Sequence, residues 1–421
     1  MGPSAHHRAP LPHAFWILLT GDTLSTFGVS VYTLIVLYLV QHFSSNILLN
    51  GFVGALSHVP AFFAGIGLGL VVDRVSRKSL MVWANSIVAL MAWVPGIANL
   101  HTTGGYTVVI ATDVVVQTAL YWEQLSHNAY LKFLVDPDQL ARSEGLLQSI
   151  AAVGFAGAMM VVFFTIGQHP VRRLLGLSAG LAAIVALITG LGLPHDAAHQ
   201  PDKANGLSWP FVKEGLRWIN GFAPLRWYVY QTIFANAAIN VLMALIIYDM
   251  GHHGFFHTMP ILAIVGAGAG MGLAGVTLSW LAARIPLVGL IAVGRVAFAL
   301  GLWGIATTDS LYGLAISLAL VFWGQNVSGT ALVTWRTRVT PLAVQGRISS
   351  TISQISAFTS WLGVVGVSAL DQVAHSVALG FEIAAGMVGI SLVVILVGVG
   401  RGHWPLPRYL EEAAQQPSQQ A

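Results

Sequence analysis

The chain has 421 residues, of which 8% are Asp, Glu, Lys or Arg and 56% are hydrophobic, whereas soluble domains carry ~25% charged residues. Too little polar surface remains to solvate a globule of this size, so the composition excludes a water-soluble enzyme and places the chain in a bilayer. The net charge of +3 is read by loop location rather than as attraction to nucleic acid, which cannot reach most of such a surface.

The first charge-free window runs from Asp22 to Asp73, with 50 intervening residues lacking Asp, Glu, Lys or Arg. A helix needs ~20 such residues to span, so this window holds nearly two. The apolar stretch from Phe15 leads into a second hydrophobic stretch, not into a small-residue cleavage site, and is read as the first span rather than a signal peptide. Continuous apolar runs also argue against a β-barrel, whose ~10-residue strands alternate. Splitting the windows at polar or Gly/Pro-containing breaks predicts spans at roughly 14–40, 47–72, 79–99, 106–130, 145–167, 173–193, 226–248, 260–283, 287–306, 311–334, 349–370 and 378–400.

With the N-terminus inside, the inner connections carry Arg74, Arg77, Lys78, Lys132, Arg142, Lys203, Lys213, Arg217, Arg226, Arg284, Arg336, Arg338 and Arg347. The outer loops carry Arg172 and Arg173, read as membrane-edge anchors. This asymmetry predicts both termini on the cytoplasmic side.

The expected organisation is a cytoplasmic N-terminal tail (1–13), a six-helix bundle (14–193), and a cytoplasmic linker with an amphipathic helix (194–225). A second six-helix bundle (226–400) and a polar cytoplasmic tail (401–421) follow. The halves repeat weakly: "FLVDPDQLARSEGLLQS" after span four is echoed by "TRVTPLAVQGRISSTIS" after span ten, and Gly69 of span two by Gly275 of span eight. Paired six-helix halves joined by a cytoplasmic linker are the pattern of a two-bundle transporter.

One inner connection is denser in charge than the rest: "GLVVDRVSRK" at 69–78. The positive-inside rule accounts for Arg74, Arg77 and Lys78 but not for Asp73, which calls for a specific partner such as a basic side chain or a helix N-terminus. The stretch resembles the loop 2–3 signature of the major facilitator superfamily, G-x-x-x-D-R-x-G-R-R/K, matched at Gly69, Asp73, Arg74, Arg77 and Lys78, with Ser76 in place of the second glycine. Together with "SHVPAFFAGIGLGLVVDR", "SHNAYLKFLVDPDQLARSEGLLQS", "FVKEGLRWI" and "VTPLAVQGRISS", it is similar to the exporter group that includes macrolide efflux and enterobactin export proteins. The resemblance covers ~15–400. It implies twelve transmembrane helices in two pseudo-symmetric bundles, an all-α polytopic fold, with a conformational gate at Gly69, Asp73 and Arg74.

An ionisable side chain at membrane depth costs at least ~2.5 kcal/mol on insertion scales, so each needs a reason. Asp22 in span one and Glu123 in span four sit ~10–12 Å above the inner boundary, with Arg295 of span nine at similar depth. Either the two acids face Arg295 across the bundles in a network that carries protons, or each is separately hydrogen-bonded for packing. Asp113 lies towards the outside as a candidate outer proton port. Asp249, Asp371 and Glu382 are expected at the solvated outer boundary.

Gln117, Asn236, Asn240, Gln325 and Asn326 are candidate polar residues of a midplane cavity, with Tyr32, Tyr121, Trp122 and Trp323 as aromatic walls. The same aromatic types also populate interfacial belts. "GAGAGMGLAG" at 266–275 reads as close helix approach, not a phosphate loop, since no Lys-Ser/Thr follows it. His252, His253 and His257 in "GHHGFFH" are an outer loop without a completing ligand set, so no metal site, cofactor or catalytic set is assigned. The zero cysteine count excludes thiolate chemistry.

The leading expectation is a monomeric secondary transporter in a prokaryotic cytoplasmic membrane. It couples inward proton movement to efflux of small amphipathic molecules, drug-like or siderophore-like. Uptake by the same fold is the alternative, and a membrane enzyme or metal sensor is the reading from another class.

Overall fold

The computed structural model describes residues 11–43, 52, 75–98, 103–135, 137–165, 170–195, 216–252, 266, 268–282, 284–340, 345–374 and 376–402. Its described helices are α1 (His13–Phe43), α2 (Arg77–Met91), α3 (Val94–Ile97), α4 (Thr103–Leu134), α5 (Pro137–Thr165) and α6 (Val171–Gly192) in the first half. The second half holds α7 (Ala223–His252), α8 (Gly270–Ala282), α9 (Leu287–Thr307), α10 (Leu311–Val339), α11 (Gln345–Ala374) and α12 (Val377–Gly400). Eight spans formed from these helices are long and apolar enough to cross a membrane. Every described element is a helix, and the helices divide into two bundles.

Side-chain caps set several boundaries. Ser76 takes φ −53° and ψ 128° and its hydroxyl accepts from the Ser79 amide at 3.4 Å, so the residue that departs from the loop signature is the N-cap of α2. Arg77 and Lys78 then stand at the positive end of that helix, where cations are disfavoured. They reach the negative ends of neighbours instead: Lys78 donates to the Leu193 carbonyl at 2.7 Å, and Arg77 to the Ala129 carbonyl at 3.4 Å. Tyr130 donates to the Pro194 carbonyl at 2.6 Å. The C-terminus of α6, which would otherwise leave orphan carbonyls, is thus tied to α2 and α4 within one bundle. Tyr130→Phe is expected to lower stability by about 1 kcal/mol, the value of a single hydrogen bond, read as a lower thermal midpoint in detergent. At the opposite end, Arg172 donates to the Gly96 carbonyl at 3.1 Å, beyond the break that Pro95 imposes after α2. That contact gives the outer arginine a structural role beyond anchoring.

Packing separates into two sets: α1 on α5 and α6 and α2 on α4 and α6 in the first, then α7 on α11 and α12 and α9 on α10 and α12 in the second. The sets touch through α1 against α7, through α5 against α8, and through the tilted rings of Phe155 and Phe322, 6.3 Å apart.

The apolar core is layered by depth. A shared core takes residues from both bundles at the end away from the termini: Val31–Val40, Ala84–Ala92, Tyr106–Ala119, Ala238–Ile246, Phe298–Ile305, Leu314–Phe322 and Phe381–Val388. The terminal side has two separate cores. One contains Phe15, Leu19, Met81, Tyr130, Leu147 and Leu193 from the first bundle, and the other Leu225, Leu290, Trp335, Ile348 and Ile395 from the second. Helix ends alternate between layers as antiparallel neighbours must. Among the described residues, the bundles are sealed together at the layer away from the termini, here termed outer, and pack apart at the terminal layer, termed inner.

Candidate functional site

Between these layers each bundle holds a polar seam. In the first, Asp22 lies between Leu19 of the inner core and Val31 of the outer one on α1. Glu123 and His127 lie between Ala119 and Tyr130 on α4. Spacing of four residues puts Glu123 and His127 on one helix face. His127 Nδ1 is 3.6 Å from Asp22 Oδ1, and Glu123 accepts a hydrogen bond from the side chain of Asn85 on α2. Asn85 also donates to the Met81 carbonyl at 3.0 Å. Asp22 keeps 18% of its side-chain surface accessible, so the seam is reachable while mostly desolvated.

The second seam is cationic. Arg295 on α9 lies between Ile291 and Phe298, Gln231 on α7 between Val229 and Ala238, Gln325 on α10 between Phe322 and Val327, and Ser391 on α12 between Val388 and Ile395. Arg295 donates through Nη1 to Gln325 Oε1 at 2.9 Å and through Nη2 to Gln231 Oε1 at 3.3 Å. Ser391 adds its hydroxyl to the same Gln231 oxygen at 3.3 Å. The juxtaposition depends on a glycine contact one residue away: a Cβ on Gly294 would lie 2.7 Å from the Gly324 carbonyl, so α9 and α10 approach backbone to backbone.

Asp22 and Glu123 of the first bundle and Arg295 of the second each have described partners within their own bundle. The structure brings Asp22 to His127 and Glu123 to Asn85, and gives Arg295 to neutral amides. Asp113 is 1% exposed inside the outer core, accepting from Gln117 at 3.3 Å, with Tyr32 close enough to couple to it. Asn240 bridges from α7 to Ser360 of α11 at 3.1 Å, and to the Asn236 carbonyl at 2.8 Å. Trp323 donates to Thr277 of α8 at 2.9 Å, and Asn326 to the Phe322 carbonyl at 2.8 Å. Tyr121 and Trp122 are half-buried on α4, beside the acidic seam. Gly69, Asp73, Arg74, His253 and His257 lie outside the described residues, as does the side chain of His252.

One boundary expectation is corrected. Asp371 is fully buried, not solvated, because Gly380 of α12 has no side chain and its Cα face admits the carboxylate beside Leu245. The run at 266–275 divides likewise: Gly270 approaches the Ala319 carbonyl within 2.6 Å of an added Cβ, whereas Gly272 and Gly275 face open space.

His127, Asn85, Gln231 and Ser391 were not singled out from the sequence. Glu123 and His127, an acid and a histidine four apart in a largely apolar span, are a usable signal for His127. The other three are neutral residues whose partners lie on separate helices.

No family model matches the sequence, and no curated protein sequence does. Solved structures match its fold. A nucleoside transporter, NupG, superposes with a TM-score of 0.66 at 16% identity, covering 92% of this chain and 99% of that one. The human organic anion transporter MFSD10 gives 0.64 at 14%, covering 91% and 100%. The POT family transporter PepTSo gives 0.72 at 10%, covering 94% and 99%. At such identities the likeness speaks for architecture alone, and the architecture is the twelve-helix major facilitator fold.

Proposed function

We propose that the chain is a monomeric secondary active transporter of the prokaryotic cytoplasmic membrane, with both termini cytoplasmic and no cofactor. It exports small amphipathic molecules, drug-like or siderophore-like, against inward proton movement by alternating access. The first bundle (14–193) and second bundle (226–400) rock about their shared outer core. The loop at Gly69, Asp73, Arg74, Arg77 and Lys78 acts as the cytoplasmic gate.

The observation that supports this reading is the Asp22–His127–Glu123–Asn85 seam. Two carboxyl groups and an imidazole stand together at membrane depth, at the level where the bundles part, in a chain with few charges in its spans. Such a group offers proton-accepting sites reachable from one side at a time, which proton coupling requires.

Asp22→Asn and Glu123→Gln in proteoliposomes test it. The amide imitates a protonated acid, so each variant is expected to lose about tenfold or more of pH-driven net transport while retaining substrate exchange. Unchanged pH-driven transport in both variants would remove the seam from coupling. A pH gradient imposed in each direction on oriented vesicles distinguishes efflux from uptake.

A further inference from the structure

We propose that the second seam is an anion-binding site, with Arg295 as its guanidinium ligand, and that the transported molecule carries a carboxylate or a similar monoanion. The inference rests on the transporter reading only in making that anion the cargo.

Arg295 is 2% exposed, about 12–14 Å along α9 from its inner end. A desolvated guanidinium costs several kcal/mol unless an anion or a full set of acceptors compensates it. Neither compensation is complete. Among the described residues its hydrogen-bond partners are the neutral amides Gln325 and Gln231, and the acids of the first seam are engaged with His127 and Asn85. Gln231 Oε1 is shared between Arg295 and Ser391, and Arg295 Nε has no hydrogen-bond partner among the described residues. The guanidinium therefore keeps a buried, unsatisfied donor and an unneutralised charge.

The surroundings match a substrate group rather than a structural ion pair. Gln325 is half-buried on α10 whereas Gln231 is fully buried, so the Nη1 side of the guanidinium is its more open side. A planar carboxylate suits the fork of guanidinium donors. Gln325 can rotate its amide to donate from Nε2 once the anion takes its place on Arg295. Asn85 and Arg295 stand at the same place in their helices, each eight residues after the first residue of α2 or α9, and Asn85 serves the acids of the first seam. One bundle thus offers proton-accepting groups and the other a cation, at one depth.

The test is ligand-dependent thermal stability and equilibrium binding on the full chain in detergent, using benzoate, the uncharged isostere benzamide, and chloride. Benzoate is expected to raise the midpoint of the wild type and benzamide to leave it unchanged. Arg295→Gln should weaken benzoate binding about tenfold or more, with Arg295→Lys recovering part of it. Gln325→Glu guards against a misfolded Arg295 variant. It places a carboxylate on the guanidinium, so it should be more stable than the wild type and no longer respond to benzoate. A benzoate response that survives both Arg295→Gln and Gln325→Glu would overturn the site. So would the absence of any benzoate response in the folded wild type. An Arg295-dependent shift with chloride equal to that with benzoate would assign the site to an inorganic ion and overturn the cargo assignment. Because these measurements need no transport, they are independent of proton coupling through Asp22 and Glu123.

Discussion

Gly324→Val is expected to destabilise the second bundle by roughly 3 kcal/mol or more, at the upper end of overpacking costs in close-packed interiors. Even the first atom of the new side chain would overlap the Gly294 carbonyl, with the backbones of Ala297 and Phe298 also in its way. Backbone cannot rotate aside as a flexible side chain does, so α9 and α10 must separate. Separation also pulls Gln325 from Arg295, because each is the residue after the glycine that makes the contact. Two losses therefore coincide: tight packing and one of the bonds that support a buried cation. Gly329→Ala on the same helix is the control. Nothing lies within 4 Å of a Cβ there, so removing a helical glycine should be neutral or stabilise by up to ~1 kcal/mol. The ratio of folded protein after heating, followed by fluorescence-detected size exclusion, separates the two. Equal stability in both variants would show that the α9–α10 contact is looser than described.

The fold was legible in this chain because bilayer insertion acts on composition averaged over ~20 residues, a scale on which sequence is most informative. A charge-free window of 50 residues, with several of 20 to 34 after it, has no other reading, and six-plus-six division follows from one polar segment near the middle. The polar seams were half legible. Asp22, Glu123 and Arg295 stand out because each is costly where it lies, which is a property of the residue and its depth. Their partners do not stand out. Asn85, Gln231 and Ser391 are cheap to bury when bonded, and their bonds close only after the helices pack. Arg295 and Gln231 are 64 positions apart, and Ser391 and Gln231 160. Matched depth alone leaves pairing of Arg295 with the acids open, whereas the described partners of each group lie within its own bundle. Asp371 was read as solvated because it falls near a span end, and only the missing side chain of Gly380 on another helix makes room for it in the interior.

The layered core carries the largest expected functional effect. Because the bundles share an apolar core at the outer side, cysteine pairs drawn from Val36 or Val40 on α1 and Leu242 or Ile246 on α7 should include at least one that cross-links readily. The absence of native cysteine makes the background clean. Alternating access requires that seal to open once per cycle, so a formed cross-link there should abolish transport, by at least about 100-fold, and reductant should restore it. A pair on the inner side, Leu18 of α1 with Leu225 of α7, belongs to the two separate cores and should cross-link slowly in the resting protein. Substrate or an imposed proton gradient should change the two rates in opposite directions, since closing one side opens the other. Undiminished transport with the outer pair fully cross-linked would mean that the bundles do not rock about the polar seams. Rapid inner cross-linking with a slow outer pair would reverse the resting orientation and place access to Asp22 and Arg295 on the opposite side of the membrane.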